Sequence, residues 1–157
     1  MAYGMILNDA FTAMGQATAH EDLHIGEFVA VTYSADGAVT AAPTAGADNI
    51  WFVDAGIDVA PEEGIADVEY VIQKDTQPIL KKLYPGCRGI TTAVDNYSTV
   101  SVNDVLMVSA EKKLTTNADG KFTVSVIEKL DDHAGENENA IRFVVLDPGV
   151  QEVTNNG

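Results

Sequence analysis

From Glu27 onward the chain is written in short runs of Val, Ile, Thr, Phe and Tyr broken by Gly, Pro, Asn and Asp, and this rhythm constrains the fold more than any other feature. Runs of β-branched and aromatic residues between turn formers read as strands. Residues 27–33 (EFVAVTY) lead through SADG into AVTAA. Residues 111–130 repeat the device, with a strand, a turn at Asn117 to Gly120, and a second strand in which Phe122, Val124, Val126 and Glu128 fall on one parity. Asp36-Gly37 and Asp119-Gly120 tolerate positive φ, so a tight hairpin is predicted at each. The echo of ADGAVT (35–40) in ADGKFT (118–123) follows from hairpin chemistry without requiring an internal repeat.

Further strands are expected at 49–55, 90–94, 99–102, 104–109 and 141–146, the spacing of an all-β protein: a small β-barrel or a sandwich of short antiparallel strands. Residues 61–74 carry two patterns. Pro61 and two glutamates open a helix-like spacing of Ile65, Val68 and Ile72, while Ala66, Val68, Tyr70 and Ile72 alternate. The strand reading is preferred. Residues 41–48, 131–139 and 150–157 read as loops and a polar tail. Residues 1–25 differ from the rest. They are Ala-rich, with Asn8-Asp9 available as an N-cap and Phe11, Met14 and Ala17 at intervals of three, interrupted by Gly15. The expected organisation is an N-terminal arm or short helix over 1–25, a β-domain over 26–149 and a C-terminal tail over 150–157.

Composition narrows the function. A chain of 157 residues supports one domain with a real core. Its apolar runs, such as Phe143 to Leu146, are far too short to cross a bilayer, and no secretory signal is visible, so a soluble protein of cytoplasmic origin is expected. The formal charge of -15 argues against nucleic acid and anionic membranes as partners. The single cysteine, Cys87, rules out an intrachain disulfide and a cysteine-rich metal knuckle.

The stretch His20-Glu21-Asp22-Leu23-His24 fits the zinc-peptidase pattern H-E-x-x-H. The pattern works when a helix sets both imidazoles one turn apart, with the glutamate beside them as general base. Gly26 follows at once and a strand begins, so at most the last turn of a helix would hold the pair. Glu27 and Ala30 stand where the extended metzincin form needs glycine and histidine. His20 and His24 are therefore metal candidates only if a downstream carboxylate such as Glu62 or Glu63 completes the site; the simpler reading is a polar segment with two surface histidines and no metal. Residues 131–136 (DDHAGE) lack the ligand alternation of a calcium loop. The serines and three histidines suggest no catalytic triad, no phosphate-binding glycine loop is present, and Trp51 reads as core before it reads as a sugar platform. Neither catalysis nor a cofactor is expected.

Residues 101–146 have a recognisable shape. A polar Asn103-Asp104 step opens a strand; a charged turn, a strand ending in Val126-Ile127-Glu128, an acidic loop and a final IRFVVL follow. This resembles the closing hairpins of capsid decoration (cement) proteins of tailed bacteriophages, where a G-D-x-L/V step, a V-x-A/V-x-E strand and a terminal V-R-V-x-L strand recur. Asn103 stands where that family has glycine. Residues 25–46 similarly resemble the family's opening strands. The resemblance implies a small β-barrel or β-tulip carried on the outer surface of the virion, made in the host cytoplasm, with the major capsid protein as partner and a homotrimer as the usual state. It also implies a binding arm, for which Met5, Ile6, Leu7, Phe11 and Met14 are the candidate contacts. The alternatives are another phage structural β-module, such as a tail or head fibre with carbohydrate binding, and a zinc metallopeptidase acting through HEDLH.

Overall fold

The computed structural model describes residues 4–6, 11–14, 17–35, 37–43, 50–54, 71–116, 121–131 and 139–148, and the chain is all-β. The strands are β1 (Gly4–Ile6), β2 (Phe11–Met14), β3 (Ala17–Thr18), β4 (Leu23–His24), β5 (Phe28–Ser34), β6 (Gly37–Ala41), β7 (Ile50–Asp54), β8 (Val71–Ile72), β9 (Ile79–Leu83), β10 (Arg88–Thr91), β11 (Val105–Val108), β12 (Leu114–Thr115), β13 (Phe122–Leu130) and β14 (Ala140–Pro148). They form a first six-stranded sheet in the order β1-β10-β14-β13-β11-β12, a second in the order β2-β9-β7-β5-β6-β3, and the two-stranded ribbon β4-β8.

The second sheet is buried on both faces, which explains why β5 and β7 read as nearly continuous apolar runs. Phe28, Ile50, Phe52 and Leu83 face the first sheet and meet Leu106, Val108, Phe122, Val124, Val126, Ile141, Phe143 and Val145. Val29, Val31, Trp51, Val53 and Leu80 face the other way, into a second core completed by Ala17, Ala19, Leu23, Ile25 and Ile72. Sheet geometry explains how that second core is enclosed. Strands β2 and β3 lie at opposite edges of the sheet, yet only Gly15 and Gln16 separate them. Six flat strands would hold these edges roughly 24 Å apart, whereas three peptide steps reach about 11 Å at most. The sheet must therefore curl, and its concave side holds the small residues Ala17, Ala19 and Ala38 with Trp51. The curl also accommodates the one parallel pairing among the described strands, Ala17 with Ala38 and Thr18 with Val39.

Phe28 sits where the sheets meet. Its ring centroid lies 5.5 Å from that of Phe52 in its own sheet, and 5.9 and 5.8 Å from Phe122 and Phe143 across the interface. The chain crosses from the second sheet to the first through Tyr84-Pro85-Gly86-Cys87. Pro85 suits the second position of such a turn and Gly86 takes a φ of 87° in the third, which an L side chain adopts only with strain. The Cys87 amide closes the turn on the Tyr84 carbonyl at 3.0 Å.

Several expectations change. The hairpin at 34–37 forms, with Ser34 opposite Gly37, but the one predicted over 111–130 does not. Strands β12 and β13 both pair with β11, which lies between them. Residues 99–102 form no strand; a 3-10 turn at Tyr97–Thr99 leads instead to Asn103, whose φ of 74° requires a residue tolerant of the left-handed region. Glu128 leaves the core parity of Phe122, Val124 and Val126 because a bulge at Ile127 shifts the register, and Glu128 then pairs with Arg142. A second bulge, at Leu146, lies farther along the same strand pair, and both bulged side chains are exposed. Strand β9 was not anticipated. Residues 15–25 are not helical where described, and Ala17, Ala19, Leu23 and Ile25 belong to the core, so the packed domain begins at or before Ala17. Of residues 61–74, only the last four are described, with β8 at Val71–Ile72; Glu62, Glu63, the turn at 117–120 and the tail at 150–157 lie outside the described residues.

Phe28→Ala is expected to cost about 3–5 kcal/mol in urea unfolding; a loss below about 1 kcal/mol would show that the ring does not couple the sheets. Gly86→Ala is expected to cost about 1–2 kcal/mol through backbone strain alone, because a methyl there meets nothing within 4 Å.

Candidate functional site

The HEDLH segment is not a helix. His20 and Glu21 lie in a bend, and Leu23–His24 is strand β4, paired with Ile72 and Val71. In a strand, neighbouring side chains point to opposite faces, so the one-turn spacing of the two imidazoles that the zinc pattern needs is absent.

The polar groups of the segment instead tie it to the rest of the fold. The His20 amide donates to Thr40 Oγ1 at 3.1 Å, and His20 Nδ1 lies 2.7 Å from the same buried oxygen. Thr40 Oγ1 thus joins both the backbone and the ring of His20. Nε2 faces Glu21 Oε1 at 3.2 Å. Glu21 also takes the Lys112 ammonium. That hydrogen bond, opposed by partial burial, holds the Glu21 carboxyl below its ordinary value of 4.5. Asp22 Oδ1 accepts the Lys74 amide at 2.9 Å. His24 donates its amide to Glu27 Oε1 at 2.5 Å, and Glu27 is itself buried. The Lys112 carbonyl accepts the Phe28 amide at 3.1 Å. HEDLH is thus a polar clasp that joins β6, the 73–76 turn and the loop before β12. Thr40, Glu27 and Lys112 complete it, and no sequence pattern marks them.

Among the described residues, no group of three or more His, Cys, Asp or Glu side chains is arranged to hold a metal ion. Trp51 is 7% exposed, with Lys82 Nζ 5.4 Å from its ring centroid, so its face is covered.

The proposed arm contacts lie on the edges of both sheets. Met5 pairs with Ile90 and Ile6 with Gly89 in the first sheet, while Phe11 pairs with Leu83 and Met14 with Leu80 in the second; Leu7 lies outside the described residues. Both ladders run antiparallel and differ in register by a single residue: β1 borders β10 in the first sheet and β2 borders β9 in the second.

No protein-family model matches the chain, and no curated protein matches it. Among solved structures the fold is similar to the head fiber gp8.5 N base in bacteriophage phi29, with 11% sequence identity and a TM-score of 0.51 over 90% of this chain and 98% of that one. At that identity the likeness concerns the fold.

A carboxyl held below its unfolded value contributes stability that is complete above about pH 4.5 and is lost as pH falls through its folded value. Glu21→Gln is expected to lower stability near neutral pH by at most about 1 kcal/mol, because the 45% exposed side chain is screened by solvent. Urea melts of the two proteins should converge as pH falls below 4.5 and through the folded value; a constant difference would mean that the ion pair is not the cause.

Proposed function

We propose that the chain is a non-catalytic structural protein of a bacteriophage virion, seated on the outer surface of the capsid. The observation that carries this reading is the correspondence of nearly the whole chain with nearly the whole of a head-fibre base, in the same all-β arrangement. The strand-and-turn resemblance of residues 25–46 and 101–146 to capsid cement proteins supports the same placement. Polar side chains spent on internal ties, as in the HEDLH clasp, suit a load-bearing role.

Within this reading the chain acts as a cement protein, a homotrimer whose partner is the major capsid protein, produced in the host cytoplasm. Its contact with the shell is assigned to residues 1–16, with Met5, Ile6, Leu7, Phe11 and Met14 as the apolar contacts. A second reading, favoured by the head-fibre likeness, makes the chain the base of a projecting fibre on the same surface. The two differ in consequence: a cement protein raises the temperature at which shells open, and a fibre base binds without raising it.

Co-sedimentation with purified shells lacking the protein tests the placement, and calorimetry of the decorated shells separates the two readings. Binding at fixed sites is expected, and failure to bind any shell would overturn both. Met5→Ser combined with Leu7→Ser and Phe11→Ser is expected to weaken shell binding about tenfold or more, since apolar burial contributes roughly 25 cal/mol per Å². Unchanged binding would remove these residues from the contact.

A further inference from the structure

The outer face of the first sheet departs from the usual pattern of an antiparallel sheet. Leu106, Val124, Val126, Phe143 and Val145 face the second sheet, so the alternate residues of β11, β13 and β14 point away from it. Register aligns these residues in rows across the strands. Val105, Ser125 and Val144 form the middle row; Met107, Thr123 and Asp147 form the row on one side, and Glu128 and Arg142 the row on the other. A sheet with one face on the core normally turns polar residues outward. Here Val105, Met107, Thr123, Ser125 and Val144 make a continuous uncharged area, and Val105 is 49% exposed. The bulges at Ile127 and Leu146 add two exposed aliphatic side chains at its two ends.

Charge decides what fits this area. Along β14 it is bounded by a cation at Arg142 and by an anion at Asp147, with Val144 in the row between them. The Arg142 guanidinium is only partly used by its own chain. One of its amino nitrogens lies 3.4 Å from Glu128 Oε2, Nε has no acceptor among the described residues, and the side chain is 40% exposed. A guanidinium carries donors enough for two carboxylates.

Opposite charges at opposite ends make the face its own complement. A second copy can be laid on it face to face about a two-fold axis that lies between the sheets and runs across the strands, level with Val144. Each Arg142 then comes opposite Asp147 of the other copy, and the middle rows, which are uncharged, meet between them. Such self-complementarity is what an isologous contact requires. Over most of their surfaces two copies of a chain with net charge -15 repel each other, whereas at this face unlike charges are opposed at both ends.

We propose that the outer face of the first sheet joins two copies of this chain, packed sheet on sheet, with Arg142 of each against Asp147 of the other. The contact goes beyond the placement on a shell and does not depend on it. Combined with the threefold association of the cement reading, it makes the expected particle an even multiple of the chain, a dimer or a hexamer.

Native mass spectrometry of the full chain reads the stoichiometry, and charge reversal reads the contact. Arg142→Glu and Asp147→Arg each oppose like charges at both ends of a pair, which is expected to weaken pairing about tenfold or more. Mixed in equal amounts, the two variants are expected to pair with each other, because every mixed pair again opposes unlike charges at both ends. This mutual rescue separates loss of the contact from loss of the fold. Monomers or trimers alone in the unaltered protein would overturn the proposal. So would single variants that pair as the unaltered protein does, or a mixture in which no mixed pair forms. Shell binding enters none of these measurements, so this contact and the placement on a shell fail separately.

Discussion

The architecture depends on a sheet that cannot lie flat. Its two edge strands are consecutive in sequence, and the short link between them brings opposite edges together. Once the sheet is curled, its concave side needs small residues near the seam and one large filler, met by Ala17, Ala19 and Ala38 with Trp51. Its convex side needs a second apolar surface, met by the first sheet through Phe28, Phe52, Phe122 and Phe143. Two small cores result in place of one large one, and the middle strands of the curled sheet are shared by both. Polar residues that might have marked a reactive site are used to fasten the clasp that joins these layers.

Much of this was legible in the sequence. Strands β5, β6, β7, β11, β13 and β14 alternate or run apolar in the way half-buried and fully buried strands must, and the 34–37 hairpin is specified by its turn residues. Strand β9 was not legible because Lys81 and Lys82 interrupt its apolar residues; each is accommodated through its stem and a partner, Asp54 or the Trp51 ring. The insertion of β11 between β12 and β13 was hidden for another reason. Turn chemistry specifies that a chain reverses, and says nothing about which strand fills the space beside it. The N-terminal strands were obscured by their brevity, two to four residues each, which leaves too few positions for an alternation to show.

The HEDLH segment shows how a short motif can mislead. Five letters match, yet the motif's chemistry resides in a helical spacing that Gly26 and the onset of β5 preclude. What the letters do encode is a dense set of short polar side chains, well suited to fastening a bend against buried Thr40 and the Lys112 loop. The same acidic character that suggests a general base makes Glu21 a partner for the ammonium.

The ladder between β1 and β10 also has a mechanical meaning. Its strands are antiparallel and the Gly4↔Thr91 pair lies at its outer end, so tension drawing the amino-terminal side of Gly4 away from the domain reaches that pair first. Bonds loaded one after another yield at low force, as a zipper does, whereas bonds loaded together in shear share the strain. Pulled from this end, β1 peels from β10 pair by pair, beginning at Gly4 and ending at Ile6. The edge strand thereby yields in a series of small steps.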